Sequence, residues 1–162
     1  MHEPLQSGST VDPRASLILV GYESHWDKPD SHWFNRVDPA TGNPIGDCWH
    51  WDRFAFKADA GTAERRTYLL FEVPPGHYAS AQLGRKKRYA ERYDALEWLV
   101  DAVPGQVSYF GDLVIDAEGV LDLEHDDGRA ADALKHDYPN VNLPLVPAHL
   151  TQISTSYPAC AP

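Results

Sequence analysis

The chain has 162 residues, of which 43% are hydrophobic and 11% aromatic, enough for one domain with a continuous core, and this excludes disorder of the chain as a whole. Twenty-four acidic against fourteen basic residues leave a formal charge of -10, which repels phosphate backbones and anionic headgroups. Nucleic acid is therefore not an expected partner, whereas a basic protein, a peptide or a cation is electrostatically welcome.

Thirteen prolines, eleven glycines, five tryptophans and eight tyrosines describe short strands joined by punctuated turns. The expectation is an all-β fold, a mainly antiparallel β-sandwich with one short helix near the C-terminus. Three segments are expected: a flexible N-terminal piece at 1–14, the sandwich at 15–140 and a proline-rich tail at 141–162.

The opening, Met1 to Gly8, lacks a basic stretch followed by an apolar one, and it reads as a tether or a trimmed start. The expected compartment is the periplasm or cell envelope if a signal segment was removed, and the cytoplasm otherwise. No apolar run approaches the roughly 18–20 residues that span a bilayer.

Ser16 to Tyr22 is a compact apolar run and the first core strand. Trp33 to Val37 leads into a turn rich in Pro, Gly and Asn and predicts another strand pair. From Cys48 to Phe56, alternation sets Trp49, Trp51 and Arg53 on one side and His50, Phe54 and Phe56 mainly on the other. Thr67 to Val73, then Pro74-Pro75-Gly76, then His77 to Leu83 predicts a hairpin. Gly84 to Tyr89 is a basic block, read as a solvated loop. Gln106 to Ile115 predicts a long strand with Val107, Tyr109, Leu113 and Ile115 in one phase and a bend or bulge at Gly111. Asp116 to Gly119 turns it into Val120–Leu123 as a second hairpin. Asp126 or Asp127 caps a helix that ends at Tyr138-Pro139. The prolines beyond it predict a tail that wraps the surface rather than a central strand.

No glycine-rich phosphate loop, nucleophile elbow or zinc-helix motif is present, so no cofactor and no enzymatic activity are expected. Asp122 to Gly128 has oxygen side chains at alternate positions but fails the register of a calcium loop, and helix capping accounts for its acids. His25, His32 and His50, near several aspartates, are the candidate metal ligands if they converge. Cys48 and Cys160 lack metal or redox spacing. In an oxidising compartment a disulfide between them would pin the tail, for about 4–5 kcal/mol at most. Trp26, Trp33, Trp49 and Trp51 are core residues by default. Exposed together, they would form a recognition surface.

Phe71-Glu72-Val73-Pro74-Pro75-Gly76-His77-Tyr78, followed by Val103-Pro104-Gly105 and the strand to Leu113, resembles small bacterial envelope proteins and lipoproteins with a transthyretin-like or carboxypeptidase-regulatory-like β-sandwich. The likeness runs from about Ser16 to Pro139 and rests on turn and strand chemistry, so it implies a fold rather than an activity. No lipobox cysteine stands near the start.

The leading expectation is a non-catalytic cell-envelope or secreted domain that binds a protein through Trp26, Trp33, Trp49 and Trp51. The alternatives are an immunity-type inhibitor of a basic toxin and a histidine-based metal protein. Oligomeric state is left open.

Overall fold

Ser16–Ser24 is apolar in both phases, and such a strand is stable only where both of its faces are covered. The computed structural model, which describes residues 1–47, 50–58, 65–80 and 92–158, gives it that position. In chain order the elements are β1 (Ser16–Ser24), β2 (Asp30–Val37), β3 (Arg53–Ala58), β4 (Thr67–Val73), β5 (Gly76–Ser80), β6 (Arg92–Ala102), β7 (Gln106–Ile115), β8 (Leu121–Glu124), α1 (Asp127–Asp137), β9 (Leu145–Pro147) and β10 (Thr151–Pro158).

Two sheets form a β-sandwich with one helix on its outside. The first runs β4-β1-β7-β8, with β9 alongside β7, and the second runs β10-β6-β5-β2-β3. All pairings are antiparallel except β1 with β7 and β7 with β9. Ile18, Val20, Phe34, Phe54, Phe71, Tyr78, Val100 and Phe110 fill the space between the sheets. Leu17, Leu19, Leu70 and Val107 face the opposite way, and Ala130, Leu134 and Tyr138 of the helical stretch cover them. Those three residues recur every fourth position and form one helix stripe.

The helix has the predicted ends. Asp126 is its N-cap, accepting from the Arg129 N–H at 2.9 Å, and the Tyr138 N–H closes the last turn on the Leu134 carbonyl at 3.0 Å. The β7–β8 hairpin also forms, with Ile115 opposite Leu121.

Two expectations are corrected, one of strand pairing and one of phase. Thr67–Val73 and Gly76–Ser80 are not a hairpin: β4 pairs with β1 in one sheet, and β5 pairs with β2 and β6 in the other. Pro74 and Pro75 have no N–H to donate, so the turn carries the chain from sheet to sheet instead of closing a ladder. The bulge at Gly111 is present, with Leu19 opposite Tyr109 and Val20 opposite Gly111, but Phe110 is the extra residue and the phase inverts across it. Val107 and Tyr109 consequently face the helix, whereas Leu113 and Ile115 face the sandwich.

The tail does more than wrap the surface. It supplies β9 and the eight-residue edge strand β10, which end on Pro147 and Pro158. The first fourteen residues lie against both sheets. The His2 N–H donates to the Arg53 carbonyl at 2.9 Å, the Leu5 N–H to the Leu70 carbonyl at 2.7 Å, and Leu5 and Val11 pack on the helix-side core.

Candidate functional site

Among the described residues, the densest arrangement of charge lies on the helix-side face of the first sheet. The β7 bulge turns Asp112 onto that face, where its carboxylate is fully buried. In the register, Tyr68, Gly21, Asp112 and Glu124 form one row across β4, β1, β7 and β8. Gly21 contributes no side chain to the row, and the Asp112 carboxylate and Tyr68 ring close over it. The Asp112 oxygens accept from the Tyr109 hydroxyl at 2.7 Å, the Tyr68 hydroxyl at 3.2 Å and the Arg66 guanidinium at 2.7 Å.

Arg66 ties the row together. Its Nε donates to Glu23 at 3.0 Å, and its two terminal nitrogens donate to Asp112 and to Glu124, the latter at 2.8 Å. Glu23 also meets His25 Nε2 at 2.9 Å. Burial opposes the Arg66 charge, but the three carboxylates outweigh it and push its pKa up. Burial also pulls the Glu23 carboxyl up, and the bonds from His25 and Arg66 bring it below its ordinary value. Tyr68 and Tyr109 are pushed up, first by burial and then by the charge of Asp112, with the Asp126 N–H acting the other way on Tyr109.

Chemically this is a closed network. The guanidinium spends each of its nitrogens on a carboxylate, and the phenols are held neutral far into the alkaline range, the reverse of what a proton-abstracting tyrosine needs. Its evident action is to bind four strands across one face.

The residues expected from sequence stand on different elements and loops. Trp33, on β2, is 42% exposed. Trp26 is half-buried against the inter-sheet core, with Gly119 beneath its ring and Lys28 Nζ 5.6 Å from the ring centre. Trp51 is half-buried. Trp49, Cys48, Cys160 and the basic block at 84–89 lie outside the described residues.

The three histidines have three settings. His25 is exposed and bonded to Glu23, His50 is exposed in the loop before β3, and His32 is buried with its ring stacked on Phe56 at 4.9 Å and edge-on to Tyr22 at 5.1 Å. Among the described residues no group of three His, Cys, Asp or Glu side chains is arranged to hold a metal ion. Arg66, Tyr68 and Asp112 belong to no recognisable sequence motif. Two signals were there to use: Gly21 interrupts an apolar strand, and Gly111 marks the bulge that aims Asp112.

The fold and this network together define a helix-backed, two-sheet β-sandwich whose densest described charged cluster centres on the buried Asp112. No protein-family model matches the chain, and no curated protein or solved structure matches it. Among the described residues no helix is long and apolar enough to cross a membrane.

Proposed function

We propose that this chain is a non-catalytic recognition domain of the bacterial cell envelope or of a secreted protein, binding a protein partner through the face that carries Trp33. The observation that carries the reading is the exposure of Trp33 at 42% on a strand whose opposite face is filled by Phe34 and the buried His32. A large aromatic on a rigid strand is a low-entropy anchor for a contact. The cluster around the buried Asp112 supports a non-catalytic reading because its cation and phenols are all committed to its carboxylates.

The test is a pull-down from envelope and soluble bacterial fractions with the wild-type chain and Trp33→Ala, after circular dichroism has shown equal folding. Loss of one defined partner in the variant is the expected result. Equal recovery of the same proteins by both would remove Trp33 from the interface.

The formal charge of -10 favours a second reading, an immunity-type inhibitor that covers a basic toxin. Acidic side chains exposed at Asp101 and Glu124, 60% and 49%, would then steer the encounter. Association rates that fall steeply with salt distinguish this reading from the first.

A further inference from the structure

The N-terminal segment bonds to Arg53 of β3 and Leu70 of β4, one strand from each sheet, and a cleft of about 470 Å³ is lined in part by His2 and Arg14 of that segment. His2, Arg14, Ser16, Glu72, Pro74 and Pro75 line it. Its size falls within the range of about 300–1,000 Å³ typical of small-ligand pockets. Val73 and the two prolines supply an apolar wall.

The polar groups are unevenly satisfied. Ser16 shares the phase of Ile18 and Val20, so its side chain points into the space between the sheets, and it is 3% exposed. Its hydroxyl has no hydrogen-bond partner among the described residues. A buried hydroxyl left unpaired is costly, and a ligand or a water that accepts from it repays the cost.

The surrounding charges narrow the ligand. Arg14 is almost fully exposed and held only by a long contact to Asp12 at 3.5 Å, so its guanidinium is free to turn toward the cleft. The His2 imidazole is 2.9 Å from Asp52, and Glu72 is the lining carboxylate. A hydroxyl donor and a guanidinium beside an apolar wall suit an anion on an apolar body. Planar carboxylates fit a guanidinium best.

We propose that this cleft binds a ligand with an apolar body ending in a carboxylate, the carboxylate taking the Ser16 hydroxyl and Arg14 and the body lying on Val73, Pro74 and Pro75. A peptide C-terminus and a short aliphatic acid share that chemistry.

The test is an amide-resolved NMR titration of the full chain with three probes: acetyl-Ala-Val-Ala with a free carboxylate, the same peptide as its C-terminal amide, and hexanoate. The free-acid peptide or hexanoate is expected to shift the amides of Ala15, Ser16, Leu17 and Val73, and the stronger of the two identifies the source. The amide should bind about tenfold more weakly than the acid, and Arg14→Gln should weaken the acid by a similar factor. Ser16→Ala should weaken it several-fold. The proposal is overturned if neither acid shifts these amides up to about 10 mM, a concentration that still detects weak binding. It is equally overturned if acid and amide peptides bind alike, or if Ser16→Ala raises the melting temperature with affinity unchanged. In that last case the cleft holds water only.

Discussion

The carboxylate of Asp112 occupies the space that a side chain on Gly21 would need. A Cβ at residue 21 would collide with Asp112 Oδ1 and come within 3.0 Å of the Tyr68 ring, although the two strands pair in regular parallel register at that point. The glycine is required by its neighbour rather than by its own backbone. Gly21→Ala should therefore destabilise the fold by about 2–4 kcal/mol, as overpacking and a displaced hydrogen-bond network combine. Urea unfolding of Gly21→Ala, Asp112→Ala and the double variant measures the link, and the double variant should cost well under the sum of the singles.

Arg66 is the one described cation within reach of Asp112, and its side chain is only 11% exposed. Arg66→Leu leaves the buried carboxylate with phenol donors alone and should cost about 3–5 kcal/mol, the usual consequence of breaking a buried pair from one side. Chemical denaturation would reveal this as a lower midpoint at unchanged slope. A loss below about 0.5 kcal/mol would place the pair among surface bridges of little weight.

Stability should depend on pH at both extremes, with signs set by the direction of each shift. The folded-state pKa values of Tyr68, Tyr78, Tyr109 and Tyr138 are raised, each mainly by burial. Their contribution is complete below the unfolded phenol pKa near 10 and is lost as pH rises through the folded values. Phenolate absorbance should show these four titrating late, together with loss of the circular dichroism signal. Glu23 is lowered from 4.5 by its bonds to His25 and Arg66, which outweigh the effect of burial. Its contribution is present above that value and is lost as pH falls through the folded one.

The Tyr138 hydroxyl stands in for a neighbouring strand at the edge of β4. It accepts from the Leu70 N–H at 3.2 Å and lies 3.3 Å from the Tyr68 carbonyl, to which it donates. Tyr138→Phe keeps the ring in the helix-side core but strands both backbone groups. A cost of about 1–3 kcal/mol is expected by thermal unfolding, with faster hydrogen exchange at Leu70.

Trp33 and Phe54 should separate surface from core. Phe54 is fully buried and stacks on Phe34 at 4.4 Å, so Phe54→Ala should cost about 3–5 kcal/mol. Trp33→Ala should cost under about 1 kcal/mol, because much of the ring is already in water. A comparable loss at both sites would make Trp33 a structural residue.

The local elements were legible because their causes are local. The apolar run of β1, the bulge glycine of β7, the turn before β8 and the Asp126 cap each act over a few residues, and the sequence by itself determined them along with the all-β class. Sheet membership was decided only by the tertiary structure. Thr67–Val73 and Gly76–Ser80 look like two arms of a hairpin at short range, yet β4 buries Tyr68 and Leu70 on one face and Phe71 and Val73 on the other. Such a strand fits the sheet that is covered on both sides, and the two prolines release β5 to the second sheet. The cluster around Asp112 was hidden for the same reason: Glu23, Arg66, Asp112 and Glu124 lie on or beside four different strands, and only their pairing in space brings one guanidinium within reach of three carboxylates.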